Sequence, residues 1–589
     1  MTNGEQRRSR SDRGEKKGQG RDKSGQGRSQ HRGSRNNDER RGPRNNDERR
    51  GPRNNDERRG PRNNDERRGP HNNDERRGPR NTDGHRGPRN NDEHRGPRNN
   101  DERRRPRNND EHRGPRNNDN RREQSSYRDQ DRSRNFERSA RSDEGPRPKR
   151  TFQVSPARRV AFQALNSLFD EDAFLQPALS ALAAEAQLSN NDRRLAWELV
   201  LGVSRKWGTL VAHLDELLSQ GCESLPAEVL RALVLGAYQL VYLDRIPAYA
   251  AVNESVTLAK ECDQKFTGVT NKVLKLLMEN GLPELSKLSG HKKLAAELSH
   301  PEWWVKTQVK RRGLEQTKRI AEANNSAAPL SIRFSPKIDP QDVHARLLEE
   351  GAELTPLTWA KGGYDLKVSR PFSLPSQRDR WWYVQDEASQ LVAQLLEPKS
   401  GDQIWDVCAA PGGKSLTLLG MIGEAGQLLS TDLHERKTRE LAGRLSVFAN
   451  ATVCQHDGSK GAPEGFKQFD KILLDAPCSA LGVIRRHPEI RWRRSINDVK
   501  KAAKKQRKLL ESVALHLKVG GTLVYSVCTD TKEETTDVIN DFLLAFPDFS
   551  LNPPNPSPVW DELYQDGLDL NPADHGSDSF YAVKLTRTR

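Results

Sequence analysis

From residue 404 to the end of the chain, short apolar runs alternate with amphipathic segments, the pattern of a mostly parallel, doubly wound α/β sheet. Ligands of such sheets bind beyond the carboxyl ends of the strands, so the residues that follow each apolar run carry the information. The run 403–407 leads into Cys408, Ala409, Ala410, Pro411, Gly412, Gly413 and Lys414, and a helix is expected over 415–421. Small residues there let backbone N–H groups approach a ligand at a helix N-terminus. A P-loop would need its leading glycine where Cys408 stands, and no G-x-G-x-x-G is present, so the phosphate-cradling and dinucleotide motifs are excluded.

The next runs end on acids. Residues 427–431 end on Asp432, where a carboxylate can accept hydrogen bonds from both hydroxyls of a ribose. Residues 452–456 end on Asp457, which can accept from an adenine amino group. Either acid alone reads as a solvated loop residue; two in series after a Gly-rich turn indicate an adenosine-bearing ligand. The run 469–474 ends in Asp475-Ala476-Pro477-Cys478-Ser479, and 522–527 ends in Cys528-Thr529. A free cysteine is usually a buried small hydrophobe, the reading given to Cys222, Cys262 and Cys454. Two thiols at strand ends beside a carboxylate are a different case, because a reactive thiol needs partial exposure and a polar setting.

The rest of the chain has other textures. Residues 1–150 hold almost nothing apolar, so burial cannot offset the entropy of ordering them, and they read as a disordered Arg-rich tail with the nine-residue repeat Arg-Asn-Asn-Asp-Glu-Arg-Arg-Gly-Pro. That tail carries 45 Lys and Arg against 28 Asp and Glu, a net +17, so of the chain total of +16 the remaining residues carry −1. The high pI is therefore no evidence that the folded part binds a polyanion. Its role is open between a solvated spacer and an RNA-scanning arm. Residues 151–285 show helical periodicity, with Ser155-Pro156 as a helix start and a further helix starting at Asn253. Residues 286–380 read as connecting helices and a small α+β module, and 381–589 as the part that carries chemistry.

The six cysteines have no metal-type spacing, so no metal is expected. No apolar stretch reaches the roughly 18 residues of a membrane span and Met1 is followed by polar residues, which implies a cytoplasmic protein without membrane contact, and nothing demands more than a monomer.

The motifs Cys-Ala-Ala-Pro-Gly-Gly-Lys at 408–414, Asp-Ala-Pro-Cys-Ser at 475–479, Gly-Val-Ile-Arg-Arg-His-Pro-Glu-Ile-Arg-Trp at 482–492 and the closing strand 579–585 stand in order. Together they resemble the RNA cytosine-5 methyltransferase family, on the branch acting on 16S ribosomal RNA, over everything from about residue 155 onward. The stretches Asn191-Asp192-Arg193-Arg194, Arg205-Lys206-Trp207 and Ile246-Pro247-Ala248-Tyr249 resemble a NusB-like RNA-binding domain. The resemblance implies a Rossmann-like methyltransferase domain preceded by a small α+β module and an all-α NusB-like domain. It also implies S-adenosylmethionine bound by residues 408–414, Asp432, Asp457 and Asp475, Cys528 as nucleophile toward C6 of a cytosine, and Cys478 in product release. Asp475 is then the group near N3 and the exocyclic amine. Arg485, Arg486, His487, Arg491 and Trp492 are expected to meet RNA phosphates and bases, whereas Lys500 to Lys508 read first as an exposed helix face. The chain departs from the family at Val527-Cys528-Thr529, where Thr-Cys-Ser is usual, and at Leu481. Transfer RNA as substrate, or a ribosome-assembly role with methylation secondary, are the alternatives.

Overall fold

The structure, a computed structural model, describes residues 153–170 and 175–589. The tail and its repeat lie outside the described residues. Six helices come first: α1 (Pro156–Asp170), α2 (Leu175–Glu185), α3 (Asn190–Leu217), α4 (Ala227–Tyr242), α5 (Ala248–Cys262) and α6 (Thr267–Asn280). Pro156 opens α1, where its missing N–H costs nothing. The aliphatic faces of these helices close one core around Leu165, Leu199, Val203, Val229 and Leu274. The expected helix start at Asn253 is corrected: α5 begins at Ala248 behind Pro247, and Asn253 lies inside it. The proline, not the Asn-Glu-Ser pattern, sets the boundary.

Three connecting helices follow, α7 (Gly290–Leu298), α8 (Glu302–Arg312) and α9 (Leu314–Asn324). Then comes an antiparallel sheet of β1 (Ser331–Phe334), β2 (Glu353–Pro356), β3 (Gly363–Lys367) and β4 (Trp382–Val384), ordered β2-β3-β1-β4, with α10 (Pro340–Glu349) and the short α11 (Pro375–Arg378). Asp339 caps α10 by accepting from Gln341 N at 2.8 Å, and Val343 and Leu347 seat it on the sheet.

The last part holds α12 (Glu387–Leu395), β5 (Gln403–Asp406), α13 (Gly413–Ile422), β6 (Gln427–Asp432), α14 (Glu435–Leu445), β7 (Ala451–Gln455), β8 (Phe469–Asp475), α15 (Ile490–Arg493), α16 (Ile496–Ala514), β9 (Leu517–Val527), α17 (Thr536–Ala545), β10 (Phe549–Leu551), α18 (Pro558–Leu563), β11 (Leu568–Leu570) and β12 (Phe580–Arg587). The sheet order is β10-β12-β9-β8-β5-β6-β7, with β11 on β12. β5 to β9 are parallel, and β12 enters antiparallel to β9. Two apolar clusters, one around Leu391, Leu418 and Ile422 and the other around Trp405, Leu510 and Val513, accompany the sheet. Strand order reverses at β5, with β6 and β7 on one side and β8 and β9 on the other, so the crevice beyond β5 and β8 is the switch point where such a sheet binds ligands. Among the described residues no helix is long and apolar enough to cross a membrane.

Candidate active site

All five parallel strands deliver their carboxyl ends to one edge, and with them the residues read from the sequence. The loop after β5 is fixed by Thr431 of β6. Its hydroxyl donates to Val407 O at 2.7 Å and accepts from Trp405 Nε1 at 3.0 Å, and its carbonyl accepts from Ala409 N at 2.8 Å. Gly412 takes φ +102°, and a Cβ there would meet Leu441 Cδ1 at 2.6 Å, so the turn into α13 needs glycine. Cys408 is packed against the core and burial pushes its thiol up, which leaves the loop backbone as its contribution.

Asp432 is 7 % exposed; its Oδ1 accepts from His434 N at 3.1 Å, while Oδ2 accepts nothing from the described residues. Asp457 accepts from Ser459 N at 3.1 Å, and that residue, with Lys460 and Lys508 nearby, holds its carboxyl below the usual range. A partnerless carboxylate oxygen at the end of β6, beside a glycine turn at a helix N-terminus, fits the adenosine half of a ligand. Beneath them Asp406 is fully buried, accepts from Ser415 Oγ at 2.6 Å, keeps Oδ1 without a partner, and is pushed up by burial to about 7.

Lys414 joins the glycine-rich loop after β5 to the thiols. Its Nζ donates to Asp475 Oδ2 at 2.6 Å, and Ser526 Oγ donates to Asp475 Oδ1 at 2.8 Å, so both oxygens of Asp475 are engaged. Burial alone would lower Lys414, but the Asp475 carboxylate outweighs it and holds the ammonium above its ordinary value, with the Cys528 sulfur adding to the effect. Cys478 and Cys528, both half-buried, lie with their sulfurs 3.2 Å apart. Its hydrogen bond to Cys528, its burial and Glu534 push the Cys478 thiol well up.

The residue that sets this pair was not foreseen. Glu534, fully buried, accepts from Ser479 N at 2.8 Å, Ser479 Oγ at 2.5 Å, Gln506 Nε2 at 3.0 Å, Thr531 Oγ1 at 2.9 Å and Thr529 Oγ1 at 3.3 Å. One carboxylate thus clamps the neighbours of both cysteines. Gly482 adds a backbone stitch: its N–H donates to Cys528 O at 3.0 Å and its carbonyl accepts from Ser579 N at 3.0 Å. A Cβ at Gly482 would lie 2.1 Å from Ser579 O and 2.8 Å from Cys528 O, both backbone atoms, so only glycine fits. Glu534 follows Glu533 in the sequence, and nothing local tells which of the two is buried; the polar run Thr529-Asp530-Thr531 directly after the thiol was the available signal.

In the cluster expected to face RNA, Arg491 is buried and the other four side chains are half-buried. Arg491 is 1 % exposed and donates to Ser299 O at 2.9 Å, Asn325 Oδ1 at 2.7 Å and Asn324 O at 3.3 Å. Trp492 Nε1 donates to Ser204 O at 2.7 Å, and its ring lies so close to Gly208 that a Cβ there would be 2.6 Å from it. Arg486 bonds Asp578 at 2.7 Å, Asp386 at 2.8 Å and Pro329 O at 3.0 Å; Arg485 bonds Gly576 O and Ala327 O, each at 2.8 Å; His487 is half-buried beside Glu489. Most of the arginine and tryptophan donors join the Cys478 segment to α3, to the connecting helices, to the chain just before β1 and to the loop before β12. Cations with an aromatic beside a thiol loop have the same composition whether they cement domains or grip phosphates, which is why sequence could not separate the two.

Three family models match the chain: the NusB family over residues 155–279, the ferredoxin-like domain of RsmF/B-like methyltransferases over 300–373, and the 16S rRNA methyltransferase RsmB/F over 393–586. The probable ribosomal RNA small subunit methyltransferase B of Bacillus subtilis (strain 168) is 31 % identical over 446 residues, covering 74 % of this chain and 100 % of that protein. The ribosomal RNA small subunit methyltransferase B of Vibrio cholerae serotype O1 is 34 % identical over 443 residues, covering 74 % and 98 %. The crystal structure of PH0851 has the same fold, with TM-score 0.63, 23 % identity and coverage of 74 % of this chain and 100 % of that one.

Two outcomes follow. Glu534→Gln keeps the volume but turns an amide NH2 donor toward donors; kcat falls at least about tenfold, since leaving buried donors unpaired costs about 1–3 kcal/mol, while cofactor affinity by calorimetry is unchanged. An unaltered kcat would remove Glu534 from the site. Asp406 has its native pKa raised from 3.8 to about 7, so the native state holds the proton more tightly and stability falls as pH rises through that window. Melting temperature measured from about pH 5 to about pH 7 therefore declines more in the wild type than in Asp406→Asn, and parallel curves would contradict the assignment.

Proposed function

The chain belongs to the RsmB/F family of 16S rRNA methyltransferases, and we propose that it transfers a methyl group from S-adenosylmethionine to C5 of a cytosine in small-subunit ribosomal RNA, through a covalent bond from Cys528 to C6. S-adenosylmethionine supplies the electrophilic methyl on a sulfonium. The observation that carries the cytosine reading is the thiol pair 3.2 Å apart beside the Lys414–Asp475 ion pair. Methyl transfer to an oxygen or an amine needs neither sulfur; cytosine C5 does, because it is a poor nucleophile until a thiolate has added to C6.

The roles divide as follows. The Cys528 thiolate attacks C6: an S–C bond forms, the C5–C6 double bond opens, and its electron pair is delocalised over C5, C4 and N3. Asp475, with Lys414 on one oxygen and Ser526 on the other, faces N3 and the exocyclic amine, and the Lys414 ammonium carries the positive charge that offsets the developing electron density. C5 then takes the methyl group. The C5 proton is lost to a base and the S–C6 bond breaks, restoring the double bond and freeing the Cys528 thiolate. Cys478, protonated in the resting site, assists this elimination once Cys528 is bound to the base and no longer shares its hydrogen bond. Asp432 and Asp457 hold the ribose and adenine, and the loop 408–414 backs the methionine portion.

The chain divides into the Arg-rich tail 1–150, an RNA-docking helical part over 151–285, a connecting part over 286–380 and the methyltransferase part over 381–589. It acts as a monomer in the cytoplasm, where its RNA is made. The target cytosine has to leave its stack to reach the thiols, which favours a loop or junction of the RNA.

Wild type, Cys528→Ala and Cys478→Ala proteins, incubated with small-subunit ribosomal RNA and labelled S-adenosylmethionine and resolved on a denaturing gel, give methylated RNA, no product, and a trapped protein–RNA adduct respectively. Methylation by Cys528→Ala would defeat the covalent assignment, and preference of the wild type for transfer RNA would move the substrate.

A further inference from the structure

Helix α16 carries Lys500, Lys501, Lys504, Lys505 and Lys508 exposed on one face, opposite Val499, Ala503, Gln506, Leu510 and Val513, which are buried. The spacing i, i+4, i+8 and i, i+4 sets them in two adjacent rows. Lys501 has Asp498 at 3.8 Å, and the nearby Arg507 is paired with Asp541 at 2.7 Å; Lys500, Lys504, Lys505 and Lys508 have no acidic partner within salt-bridge distance among the described residues. In a folded part of net charge −1, such a face is a local excess of positive charge. It is also the basic surface left over near the thiols once Arg485, Arg486 and Arg491 are spent on the protein's own carbonyls and carboxylates.

The face is held in a set relation to the site. Ser495 and Asp498 start the helix with a capping box, fixing its first turn directly after the Cys478 segment. Gln506 donates to Pro477 O at 3.1 Å and to Glu534 Oε1 at 3.0 Å, so the same carboxylate that sets the two sulfurs also anchors the lysine helix. From Lys500 to Lys508 the helix rises about 12 Å. A strand of nucleic acid places a charge about every 3.4 Å of axis, so the face spans three or four phosphates.

The geometry points to this face of α16 as a docking surface for the phosphodiester backbone of the RNA strand whose cytosine enters the site. The inference rests on the RNA-methylating reading above and adds the surface that reading lacks. A phosphate ladder fits better than an acidic protein, because the lysines are regularly spaced and interrupted by no exposed apolar side chain that a protein partner would bury.

The test is a triple variant, Lys500→Gln, Lys504→Gln and Lys505→Gln, in the full chain; all three are exposed and none touches the thiols or the cofactor edge. Binding of small-subunit ribosomal RNA is titrated across salt concentrations, separately from methyl transfer. Each lost phosphate contact lowers the slope of log affinity against log salt by about 0.7 to 0.9, so the variant has a slope shallower by about 2 and binds about tenfold more weakly at 0.15 M salt. Its kcat at saturating RNA stays at the wild-type value, and the corresponding triple Arg variant restores the slope. An unchanged slope overturns the inference, also where the variant instead loses affinity for a protein-containing small-subunit particle. A wild type that binds RNA with this slope but never methylates it would overturn the functional reading and leave the docking surface standing.

Discussion

A fully buried carboxylate with no cation beside it has to be met by hydrogen-bond donors, and the donors that meet Glu534 come from both strands' ends at once: Ser479 next to Cys478, Thr529 next to Cys528, Thr531 beyond it and Gln506 from α16. That convergence makes two loops 50 residues apart in sequence into one rigid piece. Gly482 repeats the constraint in the backbone by reaching Cys528 O and Ser579 N. The sulfurs are consequently held as neighbours, 3.2 Å apart, each packed against an apolar cluster of the sheet.

The same segment that carries Cys478 also fastens the molecule together. Arg486 reaches Asp386 at the cap of α12, Arg491 fills a hole between α7 and α9, and Trp492 lies on Gly208 of α3. From the other side, Gln308 of α8 bonds Asp530 Oδ2 at 2.9 Å and Arg311 bonds the Asp530 carbonyl, two residues past Cys528. Both thiol loops are therefore buttressed by the helices that precede the catalytic sheet.

Sequence reading reached the doubly wound sheet because short apolar runs separated by helical periods admit few alternatives, and it expected Asp432, Asp457, Asp475, Cys478 and Cys528 at or just past strand ends, where the structure has them. It reached neither Glu534 nor the true position of Arg491. Burial of a polar side chain is decided by partners far away in the chain, 192 positions for Arg491 and Ser299, and no local pattern encodes it. The helix start misplaced to Asn253 has a smaller cause, a proline boundary at Pro247 outweighed in the reading by an Asn-Glu-Ser motif.

The proposed reaction requires a division between the two adjacent thiols, with Cys528 the one that attacks. Alkylation of the native protein with iodoacetamide from about pH 6 to about pH 9, with the modified residue located by mass spectrometry, reads that division directly. The account predicts that Cys528 is labelled first throughout the range and that Cys478 stays unlabelled while Cys528 is free. Labelling of Cys478 ahead of Cys528, or of both at equal rates, would contradict it.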